Sequence, residues 1–162
     1  MARDGRRRTR RQRAARVGLI AALGAARVAV DTAVFVYFIE EHPRYLPIIA
    51  PLFGQVDAGT REIATSALTL LEVLVVPYRA GDLALAERYE AVFSRSRGLR
   101  MVEMDRAQLR TAAQIRAIHG VRTPDALQLA AAFSAQCAIF LTNDRRLPSL
   151  PGLRVVQLDD FA

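Results

Sequence analysis

Short apolar segments of strand length alternate with longer helical segments along most of this chain, and this alternation limits the possible folds more than any other feature. Five candidate strands span residues 27–30, 61–66, 99–104, 137–142 and 153–158. Helical segments separate the first four strands, a pattern typical of successive βαβ units. The pattern predicts an α/β fold in three α/β/α layers, with a small, mostly parallel central sheet.

Capping residues set the expected ends of several helices. We predict that Thr32 caps the helix after the first strand and that Thr123 caps a later helix, with Pro124 at its first helical position. Asp105 is expected to cap the helix that ends at Gly120.

Size and residue types exclude several classes of protein. A chain of 162 residues with 52% apolar content suits one domain, expected over residues 17–162. Cys137 is the single cysteine and is interpreted as a small buried hydrophobe, not a disulfide partner or metal ligand. The chain has no lysine, which excludes phosphate-binding loops, Schiff-base enzymes and phospho-acceptor receiver domains.

The excess positive charge is confined to the amino-terminal segment. Residues 1–16 hold eight arginines and one aspartate, which account for the whole net charge of +7. Such a block predicts a disordered tail, which either attracts RNA phosphates or is an extension without function. The apolar run from Val17 to Ala26 is too short to span a bilayer. We interpret it as a short helix stopped at Gly24, with a secretory signal as the alternative.

Two aspartates come just after candidate strands. Asp31 follows the first strand directly, and Asp144 stands two residues after Thr142 at the end of the fourth strand. Ligands of open α/β sheets bind at the carboxyl edge of the strands, so both side chains are expected at one edge. Each also has a structural explanation, because Asp31 suits a helix N-cap and Asp144 suits a turn beside Asn143.

Two further acids stand on predicted helices. Glu72 lies within the very apolar segment ALTLLEVLVVPY, which predicts a largely buried helix that stops around Pro77. A buried Glu72 needs a partner, for which an internal arginine is one candidate, or else has a raised pKa. Asp125 stands near the start of its helix, where the helix dipole favours a negative charge.

Together, these four acids predict a metal site. If Asp31, Glu72, Asp125 and Asp144 meet at one sheet edge, their carboxylates repel one another unless they are protonated or bridged by cations. Oxygen ligands without histidine or cysteine nearby select Mg²⁺ or Mn²⁺ over Zn²⁺. Such a pocket suits metal-assisted hydrolysis of phosphodiester bonds.

Four segments resemble the signature segments of the PIN-domain family, in that family's order and at its usual spacing. They are VDTAVFVYF, TSALTLLEV, RTPDALQLAAA and FLTNDRRL. The resemblance spans roughly residue 27 to the C-terminus and is greatest to the VapC-type ribonuclease toxins of toxin–antitoxin pairs. It implies a single PIN-like nuclease domain, an RNA substrate, a cognate antitoxin, a homodimer and a cytoplasmic location without membrane association.

The resemblance also implies site roles. Metal binding and catalysis fall to Asp31, Glu72, Asp125 and Asp144, with Mg²⁺ or Mn²⁺ as the cofactor.

Supporting polar roles fall to Thr123 or Thr142 and to Asn143. The family sometimes has a further acid after the fourth segment's aspartate, where this chain has Arg145 and Arg146. These arginines are therefore either contacts for RNA phosphates or solvated surface residues.

Two alternatives stay open on the sequence. A non-catalytic PIN-like module that binds RNA or a partner protein would be favoured by the loss of any acid, and none is missing. A DNA-directed nuclease of the same fold usually carries larger insertions, which this chain lacks. A haloacid-dehalogenase-type phosphatase is excluded, because it needs an acid two residues after the first aspartate, where Ala33 stands.

Overall fold

The computed structural model describes residues 18–162, so the predicted basic tail, residues 1–16, lies outside the described part. The strands are β1 (Val28–Val30), β2 (Ile63–Ser66), β3 (Leu99–Val102), β4 (Ile139–Thr142) and β5 (Arg154–Gln157). The helices are α1 (Leu19–Leu23), α2 (Thr32–Ile39), α3 (Leu46–Asp57), α4 (Leu68–Ala80), α5 (Leu83–Arg95), α6 (Arg106–His119) and α7 (Thr123–Ser134), before a final 3₁₀ turn (Leu158–Phe161). None of these helices is long and apolar enough to cross a lipid bilayer.

The five strands form one sheet in the order β3-β2-β1-β4-β5, and every neighbouring pair is parallel. The predicted three-layer α/β/α fold is confirmed, with a sheet that is wholly rather than mostly parallel. β1, β2 and β4 are buried along their whole length, as expected for strands covered by helices on both faces. The strand order reverses between β1 and β4, which places a crevice at their carboxyl ends.

Two apolar layers hold the sheet. On one face of the sheet, strand residues pack against α6 and α7. These two helices supply many alanines to this layer of the core, together with larger residues such as Ile115 and Leu129; Ala112 is one of the alanines. On the other face α1, α2 and α3 supply the larger residues, with Phe35 packed edge-on against Phe53 at 5.6 Å between ring centroids. Cys137 is a buried part of the first layer, as predicted, and burial raises the pKa of its thiol to about 11.

Several predicted helix ends are confirmed. Asp105 caps α6 by accepting a hydrogen bond from the Gln108 amide at 2.9 Å, and Gly120 ends that helix in the left-handed conformation. The short helix predicted near the start is α1, which stops at Gly24 with a positive φ of 56°. Local capping chemistry is therefore enough to fix these positions.

Three predicted helix ends are wrong. Asp31, not Thr32, is the N-cap of α2, and α7 begins at Thr123 itself rather than after it. Pro77 does not stop α4, which continues to Ala80 and ends before the left-handed Gly81. Pro77 is buried within the helix, so tertiary packing outweighs the backbone hydrogen bond that a proline removes.

The α4 helix is not largely buried, contrary to the prediction. Leu71, Val76 and Tyr78 are 57%, 63% and 56% exposed, and Val75 is exposed as well. We call these four residues the apolar α4 surface. The opposite side of α4 packs inward through Val73 and Leu74, so the helix has one buried apolar side and one exposed apolar side.

A close backbone approach joins the end of α3 to the start of β3. The Gly98 amide donates to the Val56 carbonyl at 3.0 Å, and the Gly98 carbonyl accepts from the Ile63 amide at 2.8 Å. A Cβ atom at position 98 would lie 2.1 Å from the Arg61 carbonyl oxygen and 2.9 Å from that of Val56. Only glycine fits this crossing.

Candidate active site

Asp31 and Asp144 lie at the carboxyl ends of neighbouring strands, as the sequence predicts, and one side chain links them. The Thr142 hydroxyl donates to Asp31 Oδ2 at 2.5 Å and accepts from the Asp144 backbone amide at 2.9 Å. The Asp31 amide donates in turn to the Leu141 carbonyl of β4 at 3.0 Å. Thr142 thus orients the Asp31 carboxylate and the turn that carries Asp144.

Asp31 acts as a helix cap and also belongs to an acidic cluster. Its Oδ1 accepts from the Thr32 amide at 2.8 Å, which caps α2. Burial raises the pKa of the Asp31 carboxyl; the hydrogen bonds from Thr142 and Thr32 oppose the shift, and the negative charges of Glu72 and Asp125 add to it. A capping role alone does not explain why two further acids stand close enough to repel Asp31.

Glu72 has a hydroxyl partner, not an arginine. Its Oε2 accepts from the Thr32 hydroxyl at 2.5 Å, and the side chain is half-buried on α4. Thr32 therefore joins α2 to α4 through its hydroxyl, although the sequence suggested a capping role for it. Asp31 and Glu72 are therefore both bound to Thr32, Asp31 through its backbone amide and Glu72 through its hydroxyl.

Asp125 faces the crevice from the first turn of α7. Burial is the main reason that the pKa of its carboxyl is raised, the negative charge of Asp144 raises it further, and Arg122 opposes the shift. Asp125 therefore stands near Asp144, while it also repels Asp31. Mutual repulsion links the four acids predicted from the sequence, between Asp31 and Glu72, between Asp31 and Asp125, and between Asp125 and Asp144.

The carboxylates do not form a closed metal shell in this conformation. Within residues 18–162, no three acidic, histidine or cysteine side chains are grouped closely enough to hold a metal ion. Arg146 binds the Asp144 carboxylate, with Nε 2.9 Å from Oδ1 and Nη2 2.6 Å from Oδ2. The acids stand close enough to repel one another, but the Asp144 carboxylate is paired with the Arg146 guanidinium.

The other residues with predicted roles, Arg145, Asn143 and Thr123, make contacts with residues other than the four acids. Arg145 pairs with Asp159 and Asp160 of the final turn, so like Arg146 it is engaged in ion pairs. Asn143 Oδ1 accepts from the Asp159 amide at 2.8 Å, which ties the acid-bearing turn to the chain end. Thr123 is exposed and accepts from Arg116 at 2.8 Å, and no described hydrogen bond joins it to the acids.

Two polar residues that the sequence analysis did not single out, Gln128 and Thr69, belong to a hydrogen-bond network that reaches Glu72. Gln128 donates to the hydroxyls of both Thr32 and Thr69, at 3.2 Å and 2.7 Å. The available signal was the same one that identified Glu72, a polar residue within the apolar helix segment DALQLAAA. The polarity of Gln128 is therefore explained by a network that reaches Glu72.

The donor chemistry of the crevice fits a hard divalent cation. All four candidate ligands are carboxylates; burial is the main reason that the pKa values of Asp31 and Asp125 are raised, and the negative charges of neighbouring acids add to the shift. A bound cation would offset this repulsion and the cost of burying the charges. Oxygen ligands favour Mg²⁺ or Mn²⁺.

The chain is an α/β domain whose wholly parallel sheet has Asp31 and Asp144 at its switch point. The chain belongs to the PIN domain family, because the model of that family matches residues 28–153, and members of that family are nucleases. The resemblance seen in the four sequence segments is thereby confirmed. No curated protein matches the chain significantly in sequence.

Solved structures with a similar fold include chains of toxin–antitoxin complexes. VapBC2 from Rickettsia felis, bound to a DNA fragment from their promoter, matches with a TM-score of 0.62 and 18% identity over 80% of this chain and 97% of that chain. DNA-bound VapBC from Salmonella typhimurium matches with a TM-score of 0.59 and 24% identity over 82% and 98%. A toxin–antitoxin complex from Klebsiella pneumoniae gives 0.58 and 17% over 78% and 94%. These likenesses establish the shared fold.

Proposed function

We propose that this PIN domain is a metal-dependent endoribonuclease and the toxin of a toxin–antitoxin pair. The observation that carries the proposal is the crevice at the carboxyl ends of β1 and β4, where four carboxylates repel one another. Membership of a nuclease family supports phosphodiester hydrolysis. The RNA substrate and the toxin role rest on the resemblance of the four segments to VapC-type toxins and on the fold shared with chains of VapBC complexes.

The four acids have distinct parts in this proposal. Asp31, Asp125 and Asp144 would hold Mg²⁺ or Mn²⁺, and Glu72 would complete the shell or orient the attacking water. When bound, the cation polarises the scissile phosphate and lowers the pKa of water. No histidine lies in the four signature segments, so the carboxylates are the protein groups that orient the water and take up its proton.

Arg146 would change partner during the reaction. Its side chain is 70% exposed while it binds Asp144, so it can turn outward without breaking any core packing. The released guanidinium would then face an RNA phosphate, for which its planar donors are suited. In this proposal Arg146 neutralises Asp144 in the empty crevice and the substrate phosphate in the occupied one.

Cleavage assays test the reaction directly. We expect the protein to cut single-stranded or looped RNA with Mg²⁺ or Mn²⁺ and to be inactive in EDTA. Attack by water, rather than by the ribose 2′-hydroxyl, should leave 5′-phosphate and 3′-hydroxyl ends, identified by end-labelling and mass spectrometry. Cyclic phosphate products, or full activity in EDTA, would refute the mechanism; cleavage of matched single-stranded DNA at the same rate would refute the RNA preference.

We also propose a cognate antitoxin and a homodimer, and place the antitoxin contact on the apolar α4 surface. By analogy with VapC-type toxins, the apolar helices around residues 46–53 and 70–78 are the candidates for this contact. Leu52 and Phe53 of the first range are buried in the core, whereas the second range exposes Val76 and Tyr78. A contiguous exposed apolar surface on a helix is typical of protein–protein contacts.

A charge substitution on this surface tests the partner. We expect Val76→Glu to leave the melting temperature nearly unchanged, because the residue is exposed, and to abolish co-purification with the product of an adjacent small reading frame. Ile118→Glu on α6, where Ile118 is 76% exposed, is the matched control and should co-purify like wild type. Equal loss in both variants would argue against an α4 contact.

A further inference from the structure

Gln128 is a buried amide whose two polar atoms both have protein partners. Its side chain is 4% exposed on α7, in the part of that helix that packs on β2. Oε1 accepts from the Ser66 backbone amide at 3.2 Å, and Nε2 donates to Thr69 at 2.7 Å and to Thr32 at 3.2 Å. One residue thus ties α7 to β2, α2 and α4.

The Ser66 amide fixes which way the Gln128 side chain points. A backbone N–H can only donate, so the atom that faces it must be the amide oxygen. The amide nitrogen then faces the two threonine hydroxyls, with one hydrogen for each. Gln128 is therefore an obligatory donor to both Thr32 and Thr69.

The Gln128 amide, the Val30 carbonyl and the Glu72 carboxylate together set the directions of the hydroxyls in this network. Thr65 Oγ1 donates to the Val30 carbonyl at 2.9 Å, so it accepts from Thr69, whose Oγ1 lies 2.7 Å away. With the hydrogen of Thr69 used in this way, the Thr32 hydroxyl accepts from Gln128 and has its own hydrogen left. That hydrogen is donated to Glu72 Oε2 at 2.5 Å.

We infer that Gln128 is a positioning residue for Glu72, acting through the hydroxyl of Thr32. By donating to Thr32 Oγ1, Gln128 orients this hydroxyl so that its hydrogen points to Glu72 Oε2. No described residue donates a hydrogen bond to the other oxygen, Oε1. That oxygen is therefore the one presented to a cation or to the attacking water. The inference rests on the proposed function, since it concerns the same acidic crevice.

The alternative role for Gln128 is to join the four elements without any effect on Glu72. Both roles predict a loss of stability when the amide is removed, because the Ser66 amide would lose its buried acceptor. They differ in what happens to the folded protein. A positioning role also requires weaker cation binding and slower turnover per folded molecule, with little change in KM.

The test compares Gln128→Met, which is similar in size and lacks the amide, with wild type and with Gln108→Met. Gln108 is a buried glutamine of α6 and serves as the matched control. Mn²⁺ affinity is measured by isothermal titration calorimetry, and kcat and KM are measured on a single-stranded RNA oligonucleotide. The concentration of each variant is corrected for its folded fraction. We expect Gln128→Met to lose about 10- to 100-fold in Mn²⁺ affinity and in kcat, and Gln108→Met to lose neither.

Thr32 provides a second and milder route to the same conclusion. Thr32→Val removes the hydroxyl and keeps the shape, so it should reproduce the loss of Mn²⁺ affinity, whereas Thr32→Ser should restore it. The double variant Thr32→Val with Gln128→Met should be no worse than either alone, because both break one chain of hydrogen bonds. Wild-type Mn²⁺ affinity and kcat in folded Gln128→Met would overturn this inference alone. A wild-type protein that neither binds Mn²⁺ nor cleaves RNA would overturn the proposed function, and this inference with it.

Discussion

Replacing Asp31 by asparagine is expected to lower RNA cleavage by roughly 10²-fold or more, the range typical when a preorganised charge interaction is removed from a transition state. The substitution keeps the size of the side chain and takes away one negative charge. Asparagine caps helices about as well as aspartate, so the hydrogen bond that Asp31 Oδ1 accepts from the Thr32 amide can be kept. The loss should therefore fall on the chemistry, not on the fold.

The melting temperature of Asp31→Asn, with and without Mg²⁺, tests whether the loss of cleavage comes from the loss of a metal ligand. Burial and repulsion by Glu72 and Asp125 raise the pKa of Asp31, so the charged form is disfavoured where it stands. In EDTA at neutral pH, Asp31→Asn should therefore melt at or above the wild-type temperature. Added Mg²⁺ should stabilise wild type by mass action and the variant much less.

Asp105→Asn is the matched control for Asp31→Asn. Asp105 caps α6 with the same kind of side-chain bond, but it stands after β3, away from the switch-point crevice. Its replacement should leave both cleavage and the Mg²⁺ effect intact. If Asp31→Asn cleaved RNA at the wild-type rate, Asp31 would be a helix cap and nothing more.

Gly98→Ala is expected to be the most destabilising of the conservative substitutions considered, at about 3–5 kcal/mol. A methyl group there would lie 2.1 Å from the Arg61 carbonyl oxygen and 2.9 Å from that of Val56. Both oxygens belong to the backbone, so neither can move aside as a flexible side chain would. The chain would have to break the Gly98 hydrogen bonds to Val56 and Ile63 that place β3 beside β2. Urea denaturation followed by circular dichroism measures the loss.

The same change at Gly54 provides the comparison. Gly54 lies within α3, and a Cβ atom there would meet nothing within 4 Å. Gly54→Ala should stabilise the protein by about 0.5–1 kcal/mol, because alanine is the better helix former. Opposite signs at the two positions would confirm the steric origin of the effect; a stable Gly98→Ala protein would show that the crossing can open.

The fold could be predicted because its signals are local. Alternation of strand and helix follows from short windows of sequence, and the caps at Asp105 and Gly120 are read from single residues. Parallel strands then put Asp31 and Asp144 at one edge without any knowledge of side-chain positions. The errors at Thr32 and Pro77 arise where tertiary contacts outweigh a local signal. The Thr32 hydroxyl binds Glu72, and Pro77 is buried within α4.

The details of the site could not be predicted, because they depend on the exact shape of a turn or on contacts between residues distant in sequence. That Arg146 would bind Asp144 depends on the shape of one turn, and the chain carries other arginines that could have done the same. Gln128 meets Thr32 across 96 residues of sequence, which no local pattern reports. The exposed side of α4 was missed for a related reason, since apolar content does not say which neighbour covers a helix.

The order of the strands has a consequence for the protein while it is being made. A nascent chain emerges with its amino terminus first and folds in that order. β1 pairs with β4, and Asp31 accepts a hydrogen bond from Thr142, which lies 111 residues further along the chain. Under the function proposed above, the acidic site cannot be completed on the ribosome until β4 and Asp144 have been synthesised.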